Sequence, residues 1–245
     1  MKLKDSIILI VVVIIAIVLG VFVGIKITES KSSNDKNNGT TTDNNQGENF
    51  SLEEARELMD KYSYNACVIC GKYYMTDLTV ENMAVLAIKN SLADGKFTCD
   101  DLKKEGLDKY EFDGSKGFLY NSCEQNVNFY NYDNVSIKYK SLFGASNNLS
   151  KFSFNDKTAG IVHYYYSDIN NLFIELPLPS GCACDDYNIQ SDIKSAEIID
   201  NNLIIVAYNK TDYVDEKYKD IYNEYKYTFK QENGNYYLAE ITEVK

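Results

Sequence analysis

Residues 225–241 read YKYTFKQENGNYYLAEI. Tyr225, Tyr227 and Phe229 alternate with Lys226, Thr228 and Lys230, a period of two that sets rings on one face of a strand and leaves the other wet. Tyr236 to Val244 forms the returning strand, and Glu232-Asn-Gly-Asn235 is the turn between them. The same layout recurs upstream. Ile193–Ile199 and Leu203–Tyr208 flank Asp200-Asn201-Asn202, and Ile161–Tyr166 and Leu172–Leu176 flank Ser-Asp-Ile-Asn-Asn. Residues 146–245 therefore read as an antiparallel β half. Tyr218, Ile221, Tyr222 and Tyr225 also fit helical spacing, which leaves the start of the penultimate strand open.

Residues 50–145 read as a helical half with one hairpin. Ser51 and Glu54 form a capping box ahead of Leu52, Ala55, Leu58, Met59 and Tyr62, which share one helix face. A second helix starts near Thr79, is apolar on more than one face, and stops at Asp94–Gly95. A third spans Thr98 to Glu105 with Gly106 after it. Tyr110-Glu-Phe112 and Phe118-Leu-Tyr120 flank a hairpin turn, and Val135 to Phe143 is a last short helix stopped by Gly144. Helices first and sheet last predict an α+β fold, with the two halves forming one ectodomain. The quoted ending resembles the final hairpin of cystatin-like and nuclear-transport-factor-like α+β rolls. That resemblance implies a curled sheet with a concave face, and a tendency to dimerise.

Far upstream, Ser6 to Ile25 is a 20-residue run without a charge. At about 1.5 Å per residue such a helix spans roughly 30 Å, the hydrocarbon thickness of a bilayer. The run is longer than the apolar core of a secretory signal, lacks a small-x-small cleavage site, and is not followed closely by a lipoprotein cysteine. Residues 1–27 are thus expected to be a short cytosolic stub and a transmembrane signal anchor. Residues 28–49 hold no apolar side chain and predict a disordered polar linker. The positive-inside bias is slight, with Lys2 and Lys4 before the run and Lys26, Lys31 and Lys36 after it. The short stub favours a single-pass plasma-membrane protein with its C-terminal domain outside the cytoplasm. Gly20 and Gly24 have the spacing that lets two membrane helices approach closely, so a homodimer is one outcome and ordinary membrane-helix glycine usage the other.

The net charge of −11 excludes nucleic acid as a partner. Residues 146–245 carry −7 of it. One arginine stands beside 24 lysines, with no tryptophan and 21 tyrosines. In composition and layout the chain resembles single-pass anchored proteins of low-GC Gram-positive bacteria, a resemblance that implies an anchor and carries no activity.

Cys67, Cys70, Cys99, Cys123, Cys182 and Cys184 all lie beyond the anchor, and outside the cytoplasm they are candidates for disulfides. Six cysteines allow 15 pairings, and spacing does not choose among them. Cys67-Val-Ile-Cys70 also has zinc-knuckle or redox spacing. Cys182-Ala-Cys184 has the wrong interval for the second half of a zinc site, and no βαβ pattern supports a thioredoxin-like motif. His163 has no nucleophile motif near it, and Asp113 to Glu124 lacks the glycine a calcium loop needs at its sixth position. Asp185 and Asp186 are two adjacent loop acids, and Tyr164 to Tyr166 alternate faces, so they form no single sugar platform. No catalytic, cofactor-binding or metal-binding set emerges, and no cofactor is expected. The expectation is a membrane-anchored, non-enzymatic binding or assembly module with a protein or small-molecule partner. The alternatives are an envelope thiol–disulfide protein using Cys67 and Cys70, and an assembly subunit of a secretion or conjugation channel.

Overall fold

The structure, a computed structural model, describes residues 50–65, 71–111, 119–121, 123, 126–156, 162–177 and 187–245. The expected anchor Ser6–Ile25, its Gly20 and Gly24, the linker, and Cys67, Cys70, Cys182 and Cys184 lie outside them. No helix among the described residues is long and apolar enough to cross a membrane.

In chain order the elements are α1 (Leu52–Asp60), β1 (Ser63–Asn65), β2 (Lys72–Tyr74), α2 (Val80–Lys89), β3 (Gly95–Phe97), α3 (Cys99–Lys104), β4 (Lys109–Glu111), β5 (Leu119–Asn121), β6 (Val127–Asn131) and α4 (Tyr132–Phe143). Then come β7 (Phe154–Asn155), β8 (Val162–Ser167), β9 (Leu172–Pro177), β10 (Tyr187–Ile199), β11 (Asn202–Tyr213), β12 (Ile221–Glu232) and β13 (Asn235–Val244). This corrects the α+β expectation of a helical half followed by a sheet. The described part is mostly β, with 48% of it in strands and few helices. The supposed helical half gives β3 and β6 to a five-stranded sheet ordered β3-β6-β9-β8-β7, whose other strands come from the later half. The physical reason is length. Strands of three to five residues are held by partners far along the chain, such as Phe129 opposite Ile174, and leave little periodicity of their own to read.

Local chemistry sets the helix starts. Ser51 and Glu54 exchange bonds at the head of α1, and Thr98 and Asp101 do the same at α3. The Thr98 hydroxyl and amide, with Lys104, hold the Asp101 carboxyl down to about 2. Thr79 caps α2, which stops at Asn90 rather than at Asp94–Gly95; Gly95 instead opens β3. Asn131 caps α4 three residues earlier than the apolar pattern at Val135 suggests. Cys99 and Cys123 are bridged. They close a loop of 24 residues, for which chain entropy gives about 3 kcal/mol.

The five-stranded sheet is buried on both faces. On one side Tyr130, Phe154, Tyr164, Tyr166 and Phe173 join the main core, which also takes in α1, α2 and α4. On the other, Val127, Leu172, Ile174 and Leu176 pack with Leu102 of α3 and Leu107. β9 (LFIELP) is accordingly almost continuously apolar, as a strand covered on both faces should be.

The four-stranded sheet is the meander β10-β11-β12-β13. Asp200 and Asn201 both have positive φ in the two-residue β10–β11 turn, and so do Asn233 and Gly234 in the β12–β13 turn. That backbone matches the right-handed twist of the strands it joins. Leu203, Ile205, Ala207, Tyr227, Phe229 and Leu238 point into the main core. The short strand β2 is fastened to this sheet by Asn209, which is 3% exposed. Its side-chain oxygen accepts from the Tyr74 amide and its NH2 donates to the Tyr74 carbonyl, both at 2.9 Å, so one side chain stands in for a paired strand.

Candidate functional site

Three helices end beside the β12–β13 turn. Leu58 and Lys61 close α1, Asn90 caps α2, and Lys138, Ser141 and Leu142 lie in the last turns of α4. A helix end leaves carbonyls without intrahelical partners. Here Asn90 Nδ2 donates to the carbonyls of Lys61 and Leu86, and the Tyr62 hydroxyl donates to that of Leu142 at 2.8 Å. Gly144 ends α4 at φ 97°, and a Cβ there would meet the Tyr237 ring at 2.9 Å, so no larger residue is accommodated.

These ends and the turn border a cleft of about 360 Å³, whose lining includes Phe50, Tyr62, Tyr236, Lys61 and Lys138. A cleft of this volume suits a small molecule or one or two side chains. Phe50 meets Tyr236 edge to face, with ring centroids 5.6 Å apart. A shallower hollow adjoins it through Ser141 and Asn235, and there Lys140 faces Glu232 and Tyr237. Among the described residues neither Lys61 nor Lys138 forms an ion pair, while α1 and α4 present their negative dipole ends nearby. Lysine side chains and the rings of Phe50 and Tyr236 thus line one cleft, and a ligand that carries both an acidic and an aromatic group would meet both. Tyr62 is buried against Phe143 and Phe229, and burial pushes its phenol well above the ordinary range. It serves as wall, not as an acid or base.

Other polar groups are committed to the fold. Glu175 accepts from Tyr130 Oη at 2.7 Å and Asn128 Nδ2 at 3.0 Å across the five-stranded sheet. Asp156, 1% exposed, pairs with Lys89 at 2.9 Å. His163 Nδ1 is 2.6 Å from Asn155 Oδ1 across the β7–β8 pair, and burial lowers its pKa. Among the described residues no group of three His, Cys, Asp or Glu side chains is arranged to hold a metal ion. Of the six cysteines, Cys99 and Cys123 are placed, together and away from the cleft; the Cys67–Cys70 pair and Cys182–Cys184 lie outside the described residues. Tyr164 and Tyr166 enter one core and Tyr165 packs on the other. None of the cleft residues stands out in the sequence as a binding residue. Lys61 and Lys138 are 77 positions apart, and no local pattern joins them to Tyr236. No family model, curated protein or solved structure matches the chain.

Proposed function

We propose that this chain is a membrane-tethered, non-enzymatic binding and assembly module whose cleft takes a group combining an aromatic ring with an anion. The observation that carries it is the cleft itself, which Lys61 and Lys138 line together with Phe50, Tyr62 and Tyr236. The uncharged run Ser6–Ile25 supports attachment to the plasma membrane. The Cys99–Cys123 bridge supports a domain outside the cytoplasm, since such bridges persist in oxidising compartments.

The direct test uses 4-hydroxyphenylacetate, a phenol ring carrying a carboxylate, titrated onto the purified full chain by saturation-transfer NMR. A ligand of about 11 non-hydrogen atoms at roughly 0.4 kcal/mol each should bind near 1 mM. Saturable binding that Lys61→Glu/Lys138→Glu abolishes is the expected result. No saturable binding, or binding untouched by that pair, defeats the reading. For location, protease added to intact cells should digest residues 50–245; their survival would place the domain inside.

A further inference from the structure

The turn that borders the cleft is also a reactive dipeptide. Asn233-Gly234 joins β12 to β13, and both residues are exposed. Asn233 has φ 51° and Gly234 φ 81°. A Cβ built on Gly234 would meet nothing within 4 Å, so the space beside its amide is open. Elsewhere asparagine side chains are held: Asn209 grips both the amide and the carbonyl of Tyr74, and Asn90 donates to the Lys61 and Leu86 carbonyls. No such bond holds the Asn233 carboxamide among the described residues. An asparagine followed by glycine is the pair in which the backbone amide reaches the side chain most easily, because glycine has no Cβ in the way. The chain has one other such pair, Asn38-Gly39, outside the described residues.

We propose that Asn233 is a site of spontaneous deamidation, and that its conversion weakens anion binding in the adjoining cleft. The Gly234 amide nitrogen gives up its proton and bonds to Asn233 Cγ. The Cγ–Nδ2 bond breaks, and ammonia leaves. Water then opens the cyclic imide. Opening at Cγ leaves aspartate; opening at the main-chain carbonyl leaves isoaspartate, with one extra methylene in the backbone. Water is the only co-reactant. Attack requires Asn233 to leave its positive-φ geometry, so the reaction runs from the opened turn, and a hairpin tip is where local opening costs least.

The modification stands by itself, and its effect on binding rests on the cleft reading. Gly234 lines the cleft, and Asn233 lines the adjoining hollow. The charged groups of the two are Lys61, Lys138, Lys140 and Glu232, so a new carboxylate lowers their sum from +2 to +1. Isoaspartate does more. Its extra methylene no longer fits a two-residue turn in which Glu232 pairs with Asn235, and Tyr236 then loses its place against Phe50.

The experiment ages the purified full chain in mildly alkaline buffer and follows Asn233 by peptide mapping. A synthetic peptide of residues 228–239 gives the rate without the fold. Asn233 should convert at no less than about one-tenth of the peptide's rate, while Asn209 stays intact. Slower conversion overturns the modification. Freshly purified Asn233→Asp keeps an Asp-Gly turn and adds only the charge. It should bind 4-hydroxyphenylacetate about twofold more weakly at low salt. The aged native chain should bind more weakly still. Asn233→Gly has no side chain to react and keeps a Gly-Gly turn, so its aged and fresh samples should bind alike. An aged chain that is converted at Asn233 yet binds as the fresh chain does overturns the effect on the cleft. So does an Asn233→Gly chain that loses binding equally with age. A fresh native chain that never binds the probe defeats the cleft reading and the coupling with it, and the mapping still decides the modification.

Discussion

In the main core, Tyr62 and Tyr227 give their hydroxyls to the carbonyls of Leu142 and Met75, both at 2.8 Å, and are almost fully buried. At the end of β11 and in the loop after it, Tyr213 and Tyr218 lie ring against ring, and Tyr208 and Tyr222 stack with centroids 5.3 Å apart. The residue type is the same in both places. What differs is cover: Tyr62 and Tyr227 are buried in the main core, whereas Tyr218 and Tyr222 are half exposed. A tyrosine under cover behaves as a large apolar residue with one hydrogen bond to satisfy. An uncovered one keeps its ring for a partner.

The largest expected consequence is alkaline unfolding. Burial raises the phenols of Tyr62, Tyr64, Tyr130, Tyr164 and Tyr227 well above the ordinary range, and that of Tyr74 to about 12. In the unfolded chain a phenol ionises near pH 10. These groups have folded pKa values above their unfolded ones, so the stability they contribute is complete below about pH 10 and is lost as pH rises through 12. Circular dichroism and phenolate absorbance should change together, cooperatively, in that window. Full phenolate absorbance at pH 12 with the dichroism unchanged would break the contrast, because it would mean these rings are open to water.

Tyr62→Ala should cost about 4 kcal/mol in urea unfolding, through the cavity left against Phe143 and Phe229. Asn209→Ala should cost about 2 kcal/mol by leaving the Tyr74 amide and carbonyl without partners, and should speed hydrogen exchange at the Tyr74 amide. An unchanged exchange rate there would show that β2 is held by something else. Tyr218→Ala, in the loop after β11, should change stability by no more than about 0.5 kcal/mol. A loss comparable to that of Tyr62→Ala would show that this loop belongs to the core after all.

Features made by neighbouring residues were readable in the chain. The Ser51/Glu54 capping box and the Asn233-Gly234 turn are local, because their donors and acceptors lie within three or four positions. Features made by distant residues were not. Val127-Asn-Phe-Tyr-Asn131 becomes a strand because β3 and β9 flank it, and nothing within those five residues announces that. Without those partners the first half reads as helical. The penultimate strand also runs from Ile221, so the helical spacing of Tyr218, Ile221, Tyr222 and Tyr225 is a coincidence of tyrosine abundance. The cleft was hidden for the same reason, since Lys61, Lys138 and Tyr236 meet only after three helix ends have gathered at one turn.

Alternation, caps and turns are short-range properties, and the order of residues is enough to give the hairpins around Asp200–Asn202 and Asn233-Gly234 and the starts of α1, α2 and α3, but not the start of α4. Which strands share a sheet, which tyrosines are roofed over, and where lysines gather depends on contacts between residues tens of positions apart. Their free energy comes from burying surface against surface, and that quantity has no value until the chain has folded.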